Sequence, residues 1–463
     1  MTTSETQPPA SGRRHGIDLA RLAALTARER ARFAERRIRS AALAREAAEH
    51  WLDGVPLHWM TDWGLPFPLF VAEAHGSTLI DADGIAHVDF CLGDTGSMFG
   101  HAPAPVIAAI ERQAARGMTA MMPSALVPEV GRMLAARFGL PRWQITMTAS
   151  DANRSVIRWA RAATGRPDIL IFDGAYHGAV DDTHVRLRDG EPILRPGLMG
   201  QVWPLPEHTR VVQFNDEAAL EEALADRSVA LVLAEPVMTN IGMVLPEPGY
   251  HARLREITRR HGTLLAIDET HTISSGPGGY TRAHGLEPDF FVAGKPIAGG
   301  LPAAVWGFTE EVERAMRAAR AATPGYSGMG TTLTANALAI AAMRANLAEV
   351  MTDGAYAGMI ARAGRLASAL EGVVARHGLP WVVTSVGARV EFMLSPTRPR
   401  TGGEAALIGD AEIEGALRLA LIERGLVITP FHNMMLIAPS TTDTHVDALV
   451  AALDALLGEL TGS

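Results

Sequence analysis

The sequence predicts an α/β protein. Its mostly parallel central sheet is covered by helices on both faces, and a smaller α+β domain is built from the C-terminal part and N-terminal strands. Three observations lead there. From Trp143 onward, short apolar runs alternate with helical stretches, the pattern of repeated strand–helix–strand units. The runs VALVLA at 229–234 and LLAI at 264–267 are apolar throughout rather than alternating, as strands covered on both faces must be. After about Leu338 the texture changes to alanine-rich helices and separate short strands. The division expected is a disordered tail over 1–16 and N-terminal helices and strands over 17–104. A large α/β domain over 105–337 and a small α+β domain over 338–463 follow.

In order, MTTSETQPPASGRRHG lacks the apolar core of a secretory signal, and a cytoplasmic location is expected. Residues 17–51 carry apolar positions at helical spacing and predict one or two amphipathic helices. The stretch from His58 to Cys91 alternates as strands, with a tight turn at Asp83-Gly84. Helices are expected at 105–116 and 128–138, a strand at 145–148, a helix at 152–163 and a strand at 169–172. Then come the strand at 229–234, a helix at 252–261, and strands at 264–267 and 290–293. The last part offers strands near 382–384, 389–394 and 426–428 and a helix over 445–457.

Composition removes several function classes. With 48% hydrophobic and 20% charged residues the chain suits a globular enzyme, and its net charge of −9 gives no footprint for nucleic acid. Cys91 is the single cysteine, which excludes an intrachain disulfide framework, and its apolar setting VDFCLG suits packing. No apolar run reaches the length of a membrane span. Asp181, Asp182 and His184 lack a metal spacing, so no metal is expected, and neither a G-x-S-x-G elbow nor a helix-opening G-x-G-x-x-G occurs.

The chemistry concentrates between 264 and 300. The strand at 264–267 delivers Asp268 and Glu269 at its C-terminal end, where open α/β sheets place their ligands. The next strand ends in Gly294-Lys295-Pro296, so an acid and an amine meet at neighbouring strand ends. A lysine forming a Schiff base with an aldehyde cofactor, and an aspartate keeping that cofactor's ring nitrogen protonated, are the protein parts of a pyridoxal phosphate site. The plainer account is a solvated surface lysine beside a capping Asp-Glu pair.

Five other segments bear on the choice. Thr148 to Asn153 joins a strand to a helix and offers backbone N–H groups and hydroxyls to an anion, or is an ordinary N-cap. Tyr176 and His177 follow a strand end, where Tyr176 can stack on a flat ring or be a loop tyrosine. Glu235 ends VALVLA and needs a partner, while Asn240 can donate to a phenolic oxygen. Gly330-Thr331-Thr332 precedes a helix beginning near Asn336, a further hydroxyl-bearing start suited to phosphate. Arg389 in GARVEFML can hold a substrate carboxylate bidentately, or pair with Glu391.

Taken together these segments resemble the class III (subgroup II) pyridoxal phosphate-dependent aminotransferases of fold type I, near glutamate-1-semialdehyde aminomutase and the β-amino-acid and ω-transaminases. The resemblance runs from about Pro66 to the C-terminus. It implies that Lys295 forms the Schiff base and shuttles a proton, and that Asp268 pairs with the pyridinium nitrogen. Tyr176 matches the stacking aromatic of Y-H-G, with His177 beside it, and Asn240 and Glu235 match residues near the phenolic oxygen and in E-P. Ala149 and Ser150 fall on the phosphate motif, and Thr332 on the threonine that reaches a partner subunit's phosphate, implying a homodimer with shared sites. The chain departs by reading T-A-S-D-A where the family has S-G-T-E-A, and by Thr270 where a valine is common. HWMTDWG replaces an arginine-bearing stretch, so Trp59 and Trp63 suggest an apolar or aromatic amine as substrate.

The activity this implies is an aminotransferase acting between an amine or amino acid and an oxo acid, ketone or aldehyde. The second possibility is an isomerase, either a glutamate-1-semialdehyde-type aminomutase or an amino-acid racemase, which uses the same residues but needs no acceptor. The third is a catalytically silent protein of this fold.

Overall fold

The computed structural model describes residues 12–323 and 327–463. Its centre is a seven-stranded sheet made of β1 (Arg142–Thr146), β2 (Asp168–Phe172), β3 (Thr209–Val212), β4 (Val229–Ala234), β5 (Leu264–Asp268), β6 (Phe290–Ala293) and β7 (Ala304–Phe308). The spatial order is β3-β2-β4-β5-β6-β7-β1, and only β7 runs against the others.

The apolar runs have a simple cause. Leu231 and Leu233 of β4 face one core, shared with Ile157 and Trp159 of the helix α1 (Ala149–Thr164). Val232 and Ala234 face the opposite core, shared with Leu254 and Ile257 of the helix Tyr250–His261. Each buried aliphatic side chain contributes about 1.5–3 kcal/mol, so a strand between two helical layers keeps no polar position. The sequence pattern does not announce β3 or β7. In β7, a Cβ on Gly307 would lie 2.7 Å from the Trp143 ring, so the glycine that weakens the strand signal is the one that admits the neighbouring indole.

The N-terminal helical stretch resolves into Leu19–Arg36 and Ile38–Ala47. They break at Arg37, fully buried and ion-paired to Glu423 and Asp81. Asp83 of the predicted turn caps the second helix from outside, accepting from the N–H groups of Arg39 (2.7 Å) and Ser40 (3.0 Å).

Of the tail expected over 1–16, residues 1–11 lie outside the described residues. The rest departs from the expectation, because Arg13–Arg14 pairs antiparallel with Ile17–Asp18. Charge explains it: Arg14 engages Asp410 and Glu412, and Arg13 donates to the Thr461 carbonyl at 2.8 Å.

The two ends of the chain meet in one sheet, where Leu426–Val427 runs parallel to Ala86–Asp89, which continues to Thr78–Asp81 and Val71–His75. A second sheet joins Val382–Val386, Arg389–Met393 and Met434–Leu436. The helix Asp443–Thr461 closes the chain behind a Thr442/His445 capping box. Among the described residues, no helix is long and apolar enough to cross a membrane.

Candidate active site

The ends of β4, β5 and β6, the loop after β2 and the start of α1 surround a cavity of about 350 Å³. The two acids ending β5 separate there. Asp268 faces the cavity; its Oδ2 accepts from Asn153 Nδ2 at 2.8 Å and meets His177 Nδ1 at 3.0 Å, while Oδ1 accepts from the Thr270 N–H at 3.1 Å. Burial opposes its charge, but the His177 contact, aided by Thr270 and Asn153, outweighs burial and leaves the carboxyl below its usual range. Glu269 turns the other way, into the loop ahead, and accepts from Thr272 Oγ1 at 2.6 Å, the Tyr280 N–H at 3.0 Å and the Thr281 N–H. Alternation across a strand end sends neighbouring side chains to opposite sides, so one acid serves the site and the other the scaffold.

Lys295 follows β6 with φ +47°. Its Nζ donates to Asp94 Oδ2 at 2.5 Å and to His271 Nε2. Asp94 lies in a loop where Leu92 (φ +47°), Asp94 (φ +46°) and Thr95 (φ +84°) are all left-handed. Non-glycine residues held there cost roughly 1–3 kcal/mol each and gather where function requires the geometry. Burial opposes the Asp94 charge, but the Lys295 ammonium and then His271 hold its carboxyl well below the usual range. Burial and then the Lys295 charge push His271 down to about 4, so its imidazole is neutral at pH 7. His271 Nδ1 meets Thr239 Oγ1 at 2.7 Å, and Thr239 Oγ1 donates to Glu235 Oε2 at 2.8 Å. Glu235 also takes the Thr239 N–H at 3.1 Å and, on Oε1, the Tyr176 N–H at 3.1 Å, while burial raises its pKa.

At the opposite end of the cavity, Thr148 caps α1, accepting from the Asp151 N–H at 3.1 Å, and the Ser150 hydroxyl accepts from the Ala179 N–H at 3.0 Å. A Cβ on Gly178 (φ +83°) would stand 2.1 Å from Ser150 Oγ, so glycine alone allows this loop to close over the helix start.

The structure thus brings Lys295, Asp268, Ala149, Ser150, Tyr176, His177 and Glu235 to one cavity. It does not bring Asn240, Thr332, Trp59, Trp63 or Arg389 to the cavity wall. Asn240 is half-buried beside Thr239, and Thr332 is exposed ahead of the helix Ala337–Ala345. Trp59 lies exposed in a short turn, and Trp63 packs against a cluster containing Phe33 and Cys91. Arg389 is fully buried; its Nε donates to the His271 carbonyl and Ser274 Oγ, both at 3.2 Å, and its Nη2 to Thr95 Oγ1. It braces the loops behind Lys295.

Sequence reasoning missed the parts played by Asp94, His271, Thr239 and Asn153. Asn153 had a signal, since it shares the apolar face of α1 with Ala152, Val156, Ile157 and Ala160, where an amide needs a reason. Asp94 had none, because nothing local pairs it with a lysine so far along the chain.

Fold and site together define a fold type I transferase built around a lysine amine and a hydrogen-bonded aspartate. The model of the class-III aminotransferase family matches residues 59–457, and the chain belongs to that family. It is 33% identical over 400 residues to glutamate-1-semialdehyde 2,1-aminomutase of Desulfosudis oleivorans, covering 85% of this chain and 92% of that protein. The crystal structure of a glutamate-1-semialdehyde-aminomutase from Pseudomonas aeruginosa PAO1 superposes with a TM-score of 0.94 at 49% identity, covering 96% of this chain and 100% of that one. A lysine-to-alanine variant of that protein is known in complex with PMP. An omega-transaminase from Sphaerobacter thermophilus superposes with a TM-score of 0.83 at 28% identity, covering 91% of this chain and 97% of that one.

Proposed function

We propose that the protein is a pyridoxal phosphate-dependent aminomutase of the glutamate-1-semialdehyde type, exchanging an amino and an oxo group between adjacent carbons of one substrate. The observation that carries this is the 49% identity, over 96% of the chain, to the Pseudomonas aeruginosa aminomutase. The sequence by itself favoured an aminotransferase with a separate acceptor, and these likenesses move the weight to the isomerase.

The residues present fit the cofactor. The Ser150 hydroxyl, the N–H groups opening α1 and the glycine at 178 form a cradle for a phosphate. Thr270 Oγ1, buried and without a partner, belongs to a residue of the cavity wall. Bound there, the cofactor supplies an electron sink for the amine-bearing carbon of the substrate.

The protein's own groups do the rest. Lys295 Nζ would hold the cofactor and, when free, would remove and return the proton on substrate carbon. Asp268, oriented by His177 and Asn153, keeps a proton on the ring nitrogen. Tyr176, on the cavity wall, would stack on the ring. Thr332 acts on the site of a second copy, in a homodimer, and the exposed side chains of Met118, Met121, Met122 and Leu333 are apolar surface available to such a contact.

A second reading, an amine transaminase, has its own support. Among the described residues of the cavity wall, Lys295 is the sole lysine or arginine, so none of them meets a substrate carboxylate with a guanidinium. One assay separates the two. Holoenzyme given 4-amino-5-oxopentanoate and no acceptor yields 5-amino-4-oxopentanoate if it is the aminomutase. If product forms only as an added oxo compound is consumed, the transaminase reading stands; with neither substrate class converted, both fall.

A further inference from the structure

We propose that His271 and Thr239 form a proton wire joining Lys295 Nζ to the Glu235 carboxylate, with Glu235 storing the proton that the lysine must lose to act as a nucleophile and base. This rests on the reading above that Lys295 is the reacting amine.

The directions of the hydrogen bonds carry the argument. Lys295 Nζ donates to His271 Nε2. A neutral imidazole accepting on Nε2 carries its hydrogen on Nδ1, so Nδ1 donates to Thr239 Oγ1 at 2.7 Å. The Thr239 hydroxyl has one hydrogen, which it gives to Glu235 Oε2 at 2.8 Å. Every link therefore points from the amine to the acid, and Thr239 and Glu235 are buried.

Transfer balances without a co-reactant. The ammonium proton moves to His271 Nε2, the Nδ1 proton to Thr239 Oγ1, and the original Thr239 proton to Glu235 Oε2. An ammonium and a carboxylate become an amine and a carboxylic acid, and each hydrogen bond survives with reversed polarity. The reverse passage reloads the lysine.

The neighbours support the assignment. Asp94 also touches Nζ, at 2.5 Å, but its carboxyl is held well below the usual range and is a counter-ion rather than a store. Burial raises Glu235 instead, which suits a group that must take up a proton. Arg389 faces the wire from behind, donating to the His271 carbonyl at 3.2 Å. His271, lowered to about 4 by burial and the Lys295 charge, passes the proton on without keeping it.

The test uses the full-length protein stripped of cofactor and mixed with pyridoxal phosphate across a pH series. The rate of covalent capture is followed by absorbance, and only the unprotonated amine captures. Thr239→Val removes the hydroxyl and keeps the shape. It should raise the pH midpoint of capture by about one unit, an about tenfold slower rate below the midpoint, and Thr239→Ser should restore the wild-type midpoint. Thermal midpoints establish that the variants are folded. If Thr239→Val does not fold, His271→Asn, which keeps a donor toward Thr239 but removes the acceptor at Nε2, should give the same shift. An unchanged midpoint in a folded variant, or a rate lowered equally at every pH, would mean that the hydroxyl only positions its neighbours and would overturn the proposal. Failure of the wild-type protein to capture pyridoxal phosphate would overturn the functional reading beneath it.

Discussion

Replacing Glu269 by alanine tests whether two adjacent acids on one strand end have unrelated duties. The Glu269 carboxylate is fully buried and accepts from one hydroxyl and two backbone N–H groups, of Thr272, Tyr280 and Thr281. Leaving a buried donor unmatched costs about 1–3 kcal/mol. Removing the carboxylate orphans both N–H groups and opens a cavity, so Glu269→Ala should lose about 4–6 kcal/mol. That is a large share of the roughly 5–15 kcal/mol that holds a domain together. Glu269→Gln keeps the shape and one acceptor but turns an NH₂ group toward a backbone donor, a loss of about 1–3 kcal/mol. Urea unfolding followed by tryptophan fluorescence should order the midpoints wild type, Gln, Ala. A Glu269→Ala protein within about 1 kcal/mol of wild type would refute the assignment of this acid to the scaffold.

The same group has a pH signature. Burial raises Glu269 above its usual 4.5. Its contribution is therefore present in full below that unfolded value and is lost as pH rises through the folded one. Stability should fall over that window in wild type, and less steeply in Glu269→Gln.

Four further outcomes are expected. Lys295→Ala should abolish the covalent absorbance band with pyridoxal phosphate and all turnover; a band at wild-type intensity would sink the site. Asp268→Asn should retain cofactor but lower kcat by at least about 100-fold, as measured by steady-state turnover; a rate near wild type would show that its charge is not used. Gly178→Ala, with φ +83° and its new methyl 2.1 Å from Ser150 Oγ, should weaken pyridoxal phosphate binding at least about tenfold in equilibrium dialysis. Arg389→Lys cannot reach its three acceptors and should lower the thermal midpoint while leaving the preference between acidic and uncharged substrates unchanged; a changed preference would return Arg389 to the substrate.

The continuously apolar runs made the sheet legible, because a strand covered on both faces has no position that tolerates a polar side chain. Chemistry at strand ends was legible for a related reason. Asp268 ends one apolar strand and Lys295 follows another after Gly294, and strand ends are where a parallel sheet exposes its functional groups. Local sequence therefore determined that an acid and an amine would share a cavity.

Which acid it would be, and what else would be there, depended on the tertiary structure. The side chains of Asp268 and Glu269 part because successive residues face opposite ways, and only the packed loop beyond assigns Glu269 to Tyr280 and Thr281. Arg389 lies on a strand, where the sequence offered it to a substrate carboxylate, yet it is buried against Thr95, His271 and Ser274 and braces the site from behind. Asp94 meets Lys295 through a strained loop 201 residues earlier in the chain. Such pairings follow from how elements close on one another, and no periodicity encodes them. The sequence by itself determined five of the seven strands and the acid and amine at their ends; the three-dimensional packing decided which side chains surround that pair, since hydrogen bonds form between neighbours in space rather than in sequence.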